Sequence, residues 1–258
     1  MIRVCKILLL IALTSFFLIL SFSVYSAEEG LVGYWALDEG NGDSAKDSSG
    51  SDNNGTIKGK SQWVQGKIGM ALSFVKSNAI YVEIPDSKTL NITEQITMSA
   101  WIKPTAIYKG ADWMERNCVV AKRRAYYMDI TETGNLASYL YGVQPQEWLV
   151  GNTDMNKFLN KWVHVATVYD GKEHKLYIDG ILDASVKKSG PITTVTESLY
   201  IGWVDNNRYF DGIIDDVKVY SRGLAEGELA KSLSITPSHK LATCWGNLKS
   251  SLQEIVVR

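Results

Sequence analysis

The fold of this chain is decided by the stretch Trp162-Val-His-Val-Ala-Thr-Val-Tyr-Asp-Gly-Lys-Glu-His-Lys-Leu-Tyr-Ile-Asp-Gly-Ile-Leu-Asp-Ala-Ser185. Two Asp-Gly pairs, at 170–171 and 179–180, favour two-residue hairpin turns of type I′, because the twist of these turns matches that of the strands they join. Residues 162–168 are apolar on both faces, which predicts a strand deep in its sheet, whereas 175–179 alternate. The stretch therefore predicts three antiparallel strands in a meander.

Further predicted strands lie on both sides of this meander, each bounded by Gly, Pro, Asp or Asn. They cover residues 30–37, 56–58, 71–74, 80–84, 96–103, 118–121, 126–130, 136–141, 199–203 and 210–220. Spacing of this kind predicts an all-β fold, a two-sheet antiparallel β-sandwich. Loops are predicted at 38–55, 104–117 and 145–156, and one short helix at 224–233. No Pro/Gly-rich linker divides the 258 residues, which favours one domain over two.

Several motifs along the chain recur in order. W-x-H-V-A-x-x-Y-D-G starts at Trp162, L-Y-x-D-G at Leu176, and F-x-G-x-I-D-x-V-x-V-Y-x-R-x-L at Phe210, while Y-W-x-L-D-E-G starts at Tyr34. From Leu31 to about residue 233 the chain resembles the laminin G-like jelly-roll family, within the concanavalin A-like lectin and glucanase superfamily. The resemblance implies a jelly roll whose first and last strands lie side by side. It implies no single activity, because such folds host many functions.

The N-terminal residues 1–27 are predicted to direct export. Arg3 and Lys6 precede an apolar run from Ile7 to Tyr25, and the small residues Ser26 and Ala27 follow. A signal peptide is the first interpretation, and an uncleaved signal anchor is the alternative, because the run approaches the roughly 20 residues that span a bilayer. In either case the domain at 31–235 is exported, to be secreted or held at the cell surface or in the periplasm. Membrane contact is predicted only through an uncleaved anchor, and 236–258 is predicted as a C-terminal tail.

The charge balance argues against nucleic acid as a partner. The formal net charge is −1 and the isoelectric point is near 6.3. Phosphate binding needs a concentrated basic surface. The densest basic run, at 122–124, is interpreted as a solvated strand end or loop.

Sequence patterns of catalysis are missing. Retaining glycoside hydrolysis needs two carboxylates about 5 Å apart on one sheet face, but Asp215 and Asp216 are neighbours that point to opposite faces. No Gly-x-Ser-x-Gly, His-Glu-x-x-His or Cys-x-x-Cys occurs. His164 and His174 lie in adjacent predicted strands, where a metal pair is conceivable, although burial of His164 in an apolar strand favours a structural role. We therefore predict no catalytic residues.

Calcium is the predicted cofactor. Hard oxygen ligands of the kind calcium prefers are offered by the polar loop and by the closing strand, and the predicted set is Asp38, Asp47, Asn54 and Asp215. The family resemblance also implies calcium at a loop edge, with Asp215 brought close by the pairing of the first and last strands. The alternative is that these side chains only form turns.

A disulfide is predicted between Cys118 and Cys244, the two cysteines that remain outside the leader. An exported location permits such a bond. The alternative is one buried thiol and one tail thiol, since a large separation in sequence says nothing about distance in space.

Aromatic residues in and beside loops are the predicted ligand-binding groups. Flat rings stack on the apolar faces of sugars, while neighbouring amides and carboxylates bind the hydroxyls. Tyr139 and Tyr141 share one face of a strand. The full set is Trp113, Tyr139, Tyr141, Trp148, Trp203, Asn206 and Tyr209. For any single ring the alternative is a place in the core between the sheets.

The sequence thus predicts an exported, non-catalytic binding module for a glycan, with calcium fixing the loops. The alternative is a protein-interaction or adhesion domain of the cell envelope without sugar specificity, so that the partner is either a glycan or an extracellular or cell-surface protein. A glycoside hydrolase or lyase is least favoured.

Overall fold

The computed structural model describes residues 28–108, 116–205 and 208–233. The predicted leader and C-terminal tail lie outside this range. Within the range, no helix is both long and apolar enough to cross a bilayer.

Short strands account for most of the described chain. In order they are β1 (Leu31–Trp35), β2 (Ser44–Ala45), β3 (Gly55–Lys58), β4 (Trp63–Gln65), β5 (Met70–Phe74), β6 (Tyr81–Ile84), β7 (Ile96–Ala106), β8 (Asn117–Lys122), β9 (Tyr126–Ile130), β10 (Asn135–Leu140), β11 (Leu149–Asp154), β12 (Val163–Tyr169), β13 (Glu173–Ile178), β14 (Ile181–Lys187), β15 (Leu199–Ile201), β16 (Trp203–Val204), β17 (Arg208–Tyr209) and β18 (Asp211–Tyr220). Helix α1 (Glu226–Leu233) follows the last strand. Single 3₁₀ turns occur at Lys76–Asn78, Lys88–Leu90 and Met155–Phe158.

Two eight-stranded antiparallel sheets form the sandwich. Sheet A has the order β14-β13-β12-β7-β18-β5-β4, and β1 also pairs with β18. Sheet B has the order β11-β10-β9-β8-β15-β6-β3-β2, while β16 and β17 form a separate two-stranded ribbon. The predicted all-β sandwich is confirmed, and so is the expected pairing of the first and last strands.

The core lies between the two sheets. Side chains point inward at alternate positions, and the largest of them are fully or almost fully buried: Trp35, Tyr126, Tyr169, Phe74 and Phe210. Trp35 donates its indole N–H to the carbonyl oxygen of Asn53, which satisfies the polar atom of an otherwise apolar residue.

The predicted meander is confirmed as β12, β13 and β14. All seven residues of β12 are buried because β7 and β13 flank it, whereas β14 forms an edge of sheet A. Asp179 and Gly180 both have positive φ, at 49° and 75°, as a type I′ turn requires. The prediction for the first turn is wrong, because three residues, 170–172, separate the strands. There the Asp170 carboxylate accepts the backbone N–H groups of Lys172 and Glu173, and the N–H of Asp170 donates to the carbonyl oxygen of Glu173.

Four strands, β2, β4, β11 and β17, were not predicted from the sequence. β4 has only three residues, and β11 lies inside the predicted loop at 145–156. β11 forms the edge of sheet B and contacts β14 of sheet A, where the Asp183 carboxylate accepts the N–H of Asn152. The two sheets therefore meet along one side of the sandwich, and the end of the loop that carries Trp148 is fixed by a strand.

The outer faces of the two sheets are covered differently. On sheet A, α1 places Leu229 over a small apolar cluster with Tyr177 and Tyr220. On sheet B, the β16–β17 ribbon packs on β8, and its Val204 contacts Cys118 and Ala121. Part of the outer face of sheet B is left beside the ribbon, and it carries aromatic side chains.

Candidate functional site: the outer face of sheet B

Side chains at alternate positions of sheet B point away from the core and form one continuous row. Tyr139 of β10 lies opposite Tyr127 of β9, which lies opposite Ala121 of β8, and Ala121 lies opposite Tyr200 of β15. Because successive strands are roughly 4.8 Å apart, the row from Tyr139 to Tyr200 spans roughly 14 Å. Rings therefore occur at both ends of the row, with the small side chain of Ala121 between them.

The first group of rings consists of Tyr127, Tyr139, Tyr141 and Trp148, which we call the aromatic platform. Ring centroids of Tyr139 and Tyr141 are 4.8 Å apart, and that of Trp148 lies 5.0 Å from Tyr139 and 6.0 Å from Tyr127. Tyr127 is buried below the other three, which are half-buried. The platform therefore presents three partly exposed rings on a buried one, outside the core between the sheets.

A buried charged cluster lies beside the platform. The guanidinium of Arg116 stacks 3.8 Å from the ring centroid of Trp148, and its Nη1 lies 3.4 Å from Oδ1 of Asp129. Its Nε lies 3.4 Å from Oε2 of Glu132. Arg116 thus connects the exposed indole to a carboxylate that is fully buried.

The ionisation of Asp129 is shifted toward neutral pH. Burial raises the pKa of its carboxyl to about 6, and the nearby positive charges of Arg116 and Arg208 oppose this shift. Oδ2 of Asp129 has no hydrogen-bond partner among the described residues. Asp129 is thus a buried carboxylate with an unsatisfied oxygen, and its counterion Arg116 carries the half-exposed ring of Trp148. Such a combination is more typical of a functional surface than of a packing surface.

The second group of rings consists of Tyr81, Tyr200, Trp203 and Tyr209. Ring centroids lie 4.7 Å apart for Tyr81 and Trp203, 4.9 Å for Tyr200 and Trp203, and 6.2 Å for Trp203 and Tyr209. All four side chains are half-buried. The second group therefore includes two residues of the β16–β17 ribbon itself, Trp203 and Tyr209.

The structure divides the predicted ligand-binding residues between these two groups. Tyr139, Tyr141 and Trp148 lie together in the platform, whereas Trp203 and Tyr209 lie in the second group. Trp113 and Asn206 lie outside the described residues. Tyr127, Tyr81, Tyr200 and Arg116 were not predicted from the sequence. The two-residue spacing of Tyr127 and Asp129 in β9 was a usable signal, but the neighbours of Tyr81 and Tyr200 are known only from the sheet order.

The predicted calcium ligands do not form one site. Asp47 accepts backbone N–H groups of Tyr34 and Ser49 on Oδ1 and of Asn53 on Oδ2, and Asn54 accepts the N–H of Asp47. Asp38 and Asp215 instead hold the turn between β4 and β5, since they accept the N–H groups of Met70 and Lys67. Within the described ranges, no three His, Cys, Asp or Glu side chains are grouped so that they could hold a metal ion. All four side chains thus form turns in the described structure, and calcium binding stays a prediction.

The two histidines lie apart from the aromatic site, whereas the buried Cys118 shares an apolar cluster with Tyr127 of the platform. His164 faces the outside of sheet A beside Trp101, whereas His174 points into the sandwich, where Nε2 lies within hydrogen-bond distance of Thr167 and Ser138. Burial lowers the pKa of each imidazole to about 3, so both stay neutral at physiological pH. Cys118 is a fully buried free thiol, and its predicted partner Cys244 lies outside the described residues.

A family model for laminin G-type domains, described as the concanavalin A-like lectin/glucanases superfamily, matches residues 76–230. This segment contains the aromatic platform, the second group of rings and most of both sheets. The chain belongs to the concanavalin A-like lectin/glucanases superfamily. The predicted family is therefore confirmed. No curated protein is similar enough in sequence to count as a relative.

Solved structures of similar fold include binding domains of toxins and a domain of a polysaccharide-degrading enzyme. The binding domain of Paraclostridial Mosquitocidal Protein 1 is similar with a TM-score of 0.64 and 17% identity, over 79% of this chain and 52% of that one. Domain 4 of AbnA, a GH43 extracellular arabinanase from Geobacillus stearothermophilus, was solved in complex with arabinotriose. It is similar with a TM-score of 0.62 and 23% identity, over 80% of this chain and 100% of that one. The binding domain of Botulinum neurotoxin DC in complex with rat synaptotagmin II is similar with a TM-score of 0.61 and 15% identity, over 82% of this chain and 53% of that one. The chain spans about half the length of the two toxin domains. At these identities the likeness shows the shared fold.

Proposed function

We propose that this protein is an exported, non-catalytic module that binds a glycan on the outer face of sheet B. The observation that carries the proposal is the aromatic platform, in which Tyr139, Tyr141 and Trp148 are half-exposed and meet outside the core. Rings held at this spacing offer flat apolar surfaces to the C–H faces of sugar rings, and the adjacent tyrosine hydroxyls offer hydrogen bonds. The bound arabinotriose of the arabinanase domain supports the same chemistry for this architecture.

Pre-organisation of Trp148 also supports the proposal. The guanidinium of Arg116 stacks on the indole, and the ring of Tyr139 lies against it at an interplanar angle of 46°, so that little rotamer freedom remains to be lost on binding. Arg116 is itself held by ion pairs with Asp129 and Glu132. We expect Trp148 to contribute more to affinity than any other single ring of the platform.

A glycan array, run with and without a calcium chelator, identifies the ligand and tests whether calcium is needed. Isothermal titration with the best oligosaccharide then compares wild type with Trp148→Ala. We expect at least a tenfold loss of affinity, which corresponds to about 1.4 kcal/mol. Trp63→Ala is the matched control, because this half-buried indole lies on sheet A, where it donates to the carbonyl of Gly42. Equal affinity of Trp148→Ala and wild type would contradict the proposed site.

A protein-binding function is the second candidate, and a different surface favours it. Ile181 and Leu182, at the start of edge strand β14, are 73% and 46% exposed, and Val150 of β11 is 42% exposed. Exposed apolar side chains at a sheet edge are a common contact for protein partners. The neurotoxin domain in complex with synaptotagmin II supports protein binding for this architecture. A blank glycan array, together with an envelope protein whose binding is lost in Ile181→Ser, would favour this candidate.

Catalysis is tested separately. Incubation with polysaccharides should release no reducing ends. Release that a single carboxylate substitution abolishes would instead identify a glycoside hydrolase.

A further inference from the structure

A cationic cavity lies at the end of the sandwich where loops from both sheets meet. Its volume is about 340 Å³, and its walls come from the β12–β13 turn, the end of β14 and the loop between β10 and β11. The lining residues are Gln144, Pro145, Gly171, Lys172, Lys187, Lys188 and Ser189. Three of these seven side chains are lysines, and none is acidic.

Lys188 is the unusual member of this group. Only 2% of the residue is exposed, and its Nζ donates to the carbonyl oxygen of Glu147. No carboxylate of the described residues lies within ion-pair distance of Nζ, although the more distant Glu147 side chain acts on it. Burial lowers the pKa of this ammonium group. A buried positive charge without a paired anion is costly, so an anion in the cavity would be favourable.

Lys172 and Lys187 are left without acidic partners because the acids of the same hairpin are already used. Lys175 forms ion pairs with both acids, since its Nζ lies 3.4 Å from Asp170 Oδ2 and 3.0 Å from Glu173 Oε2. Glu173 is the register partner of Lys187 across the sheet, yet its carboxylate is turned to Lys175. The cavity therefore keeps two exposed positive charges in addition to the buried one.

The cavity adjoins the aromatic platform through one loop. Tyr141 and Trp148 at the ends of this loop belong to the platform, while Gln144 and Pro145 in its middle form a wall of the cavity. The same loop supplies the Glu147 carbonyl that accepts from Lys188. Gln144 is fixed by reciprocal backbone hydrogen bonds with Ser189, each of 2.8 Å. The wall of the cavity is thus tied to the end of β14.

We propose that this cavity binds the carboxylate or sulfate group of an acidic saccharide. The assignment of a saccharide rests on the proposed glycan binding by the platform, whereas the assignment of an oxyanion rests on the cavity alone. Lys188 supplies a buried charge-assisted hydrogen bond, and Lys172 and Lys187 supply mobile charges at the entrance. The attraction is screened by salt, so affinity for an acidic ligand should fall as ionic strength rises.

The experiment compares three probes by titration: inorganic sulfate, a trigalacturonate and neutral arabinotriose. The test variants are Lys172→Gln combined with Lys187→Gln, and Lys188→Met, which removes the ammonium group and keeps most of the length of the buried side chain. The control combines Lys60→Gln with Lys88→Gln, two exposed lysines outside the cavity. We expect wild type to bind trigalacturonate or sulfate at least tenfold more tightly than either test variant, and the control to match wild type. Unchanged affinity of the exposed double variant for both anions would overturn the proposal, even if Lys188→Met failed to fold.

Inorganic sulfate separates the two proposals. It should bind wild type and Trp148→Ala equally, because it does not need the platform. Absence of binding by both sulfate and trigalacturonate in wild type overturns the cavity assignment while leaving neutral glycan binding intact. Preference for sulfate over trigalacturonate identifies a sulfated saccharide as the source, and the reverse identifies a uronate.

Discussion

The outer faces of the two sheets differ in what covers them. On sheet A, α1 closes an apolar cluster in which Tyr220 and Leu229 are fully or almost fully buried. On sheet B, the rings of the platform remain half-exposed, and the charges buried beside them are Arg116 and Asp129. Completion of the apolar face of sheet A by a helix stabilises the fold. Sheet B instead has an incomplete cover with a buried charged cluster, an arrangement that fits the proposed binding function better than a packing role.

The largest difference between the two faces is expected in the free energy of unfolding. Tyr220→Ala should cost about 3 to 5 kcal/mol, because it empties a buried aromatic site under α1. Trp148→Ala should cost below about 1 kcal/mol, since the indole is half-exposed and lies outside the core. Urea denaturation of both variants measures the contrast. Equal losses would show that the platform is a packing surface like that of sheet A.

The pH dependence of stability tests the charged cluster of sheet B. The folded-state pKa of Asp129, about 6, lies above the unfolded value near 3.8. The folded protein therefore holds this proton more tightly, so the stabilisation is complete below about pH 4 and is lost as the pH rises through about 6. At about 1.4 kcal/mol for each pKa unit, the change is on the order of 3 kcal/mol.

Asp129→Asn removes this titration, and its stability relative to wild type is the quantity to measure. Between pH 4 and pH 7 the free energy of unfolding of wild type should fall relative to that of the variant, because the other carboxyl groups titrate equally in both proteins. Denaturation at a series of pH values provides the comparison. Parallel stability curves would mean that Asp129 titrates normally.

A smaller effect on stability is expected where α1 meets the turn between β13 and β14. At Gly180, φ is +75°, and an added Cβ would lie 2.6 Å from Cδ1 of Leu233 at the end of α1. Gly180→Ala should cost about 1 to 2 kcal/mol from backbone strain alone. Gly227→Ala is the matched control in α1, because no atom lies within 4 Å of its added Cβ. That change should stabilise by about 0.5 to 1 kcal/mol, and thermal melts that rank the two variants in the opposite order would contradict this account of the cover.

The sequence predicted the architecture well because turn signals and period-2 patterns are local. The meander, the closing strand and the shared face of Tyr139 and Tyr141 all follow from such patterns. The strand β11 was missed because Leu149-Val-Gly-Asn-Thr-Asp154 has little β-branched or alternating character, and its pairing with β10 supplies the stability that its composition lacks.

The site was only partly predictable because its members come from strands that are distant in sequence. Tyr200 contacts Tyr81 across the β15–β6 pair, which only the sheet order reveals. The partners of Arg116 were likewise hidden, although a charged Asp129 inside the apolar run Tyr-Tyr-Met-Asp-Ile is an unusual pattern. For the predicted calcium ligands, composition indicated oxygen donors but not the backbone N–H groups that occupy them.

The central claim is that the exposed rings of sheet B contact a glycan. The most direct test is a ¹H–¹⁵N titration with the best oligosaccharide from the array. It follows the indole N–H signals of the eight tryptophans. We predict that the Trp148 signal shifts most, while those of Trp35 in the core and Trp63 on sheet A stay in place. A titration that shifts Trp63 and leaves Trp148 unchanged would contradict the account.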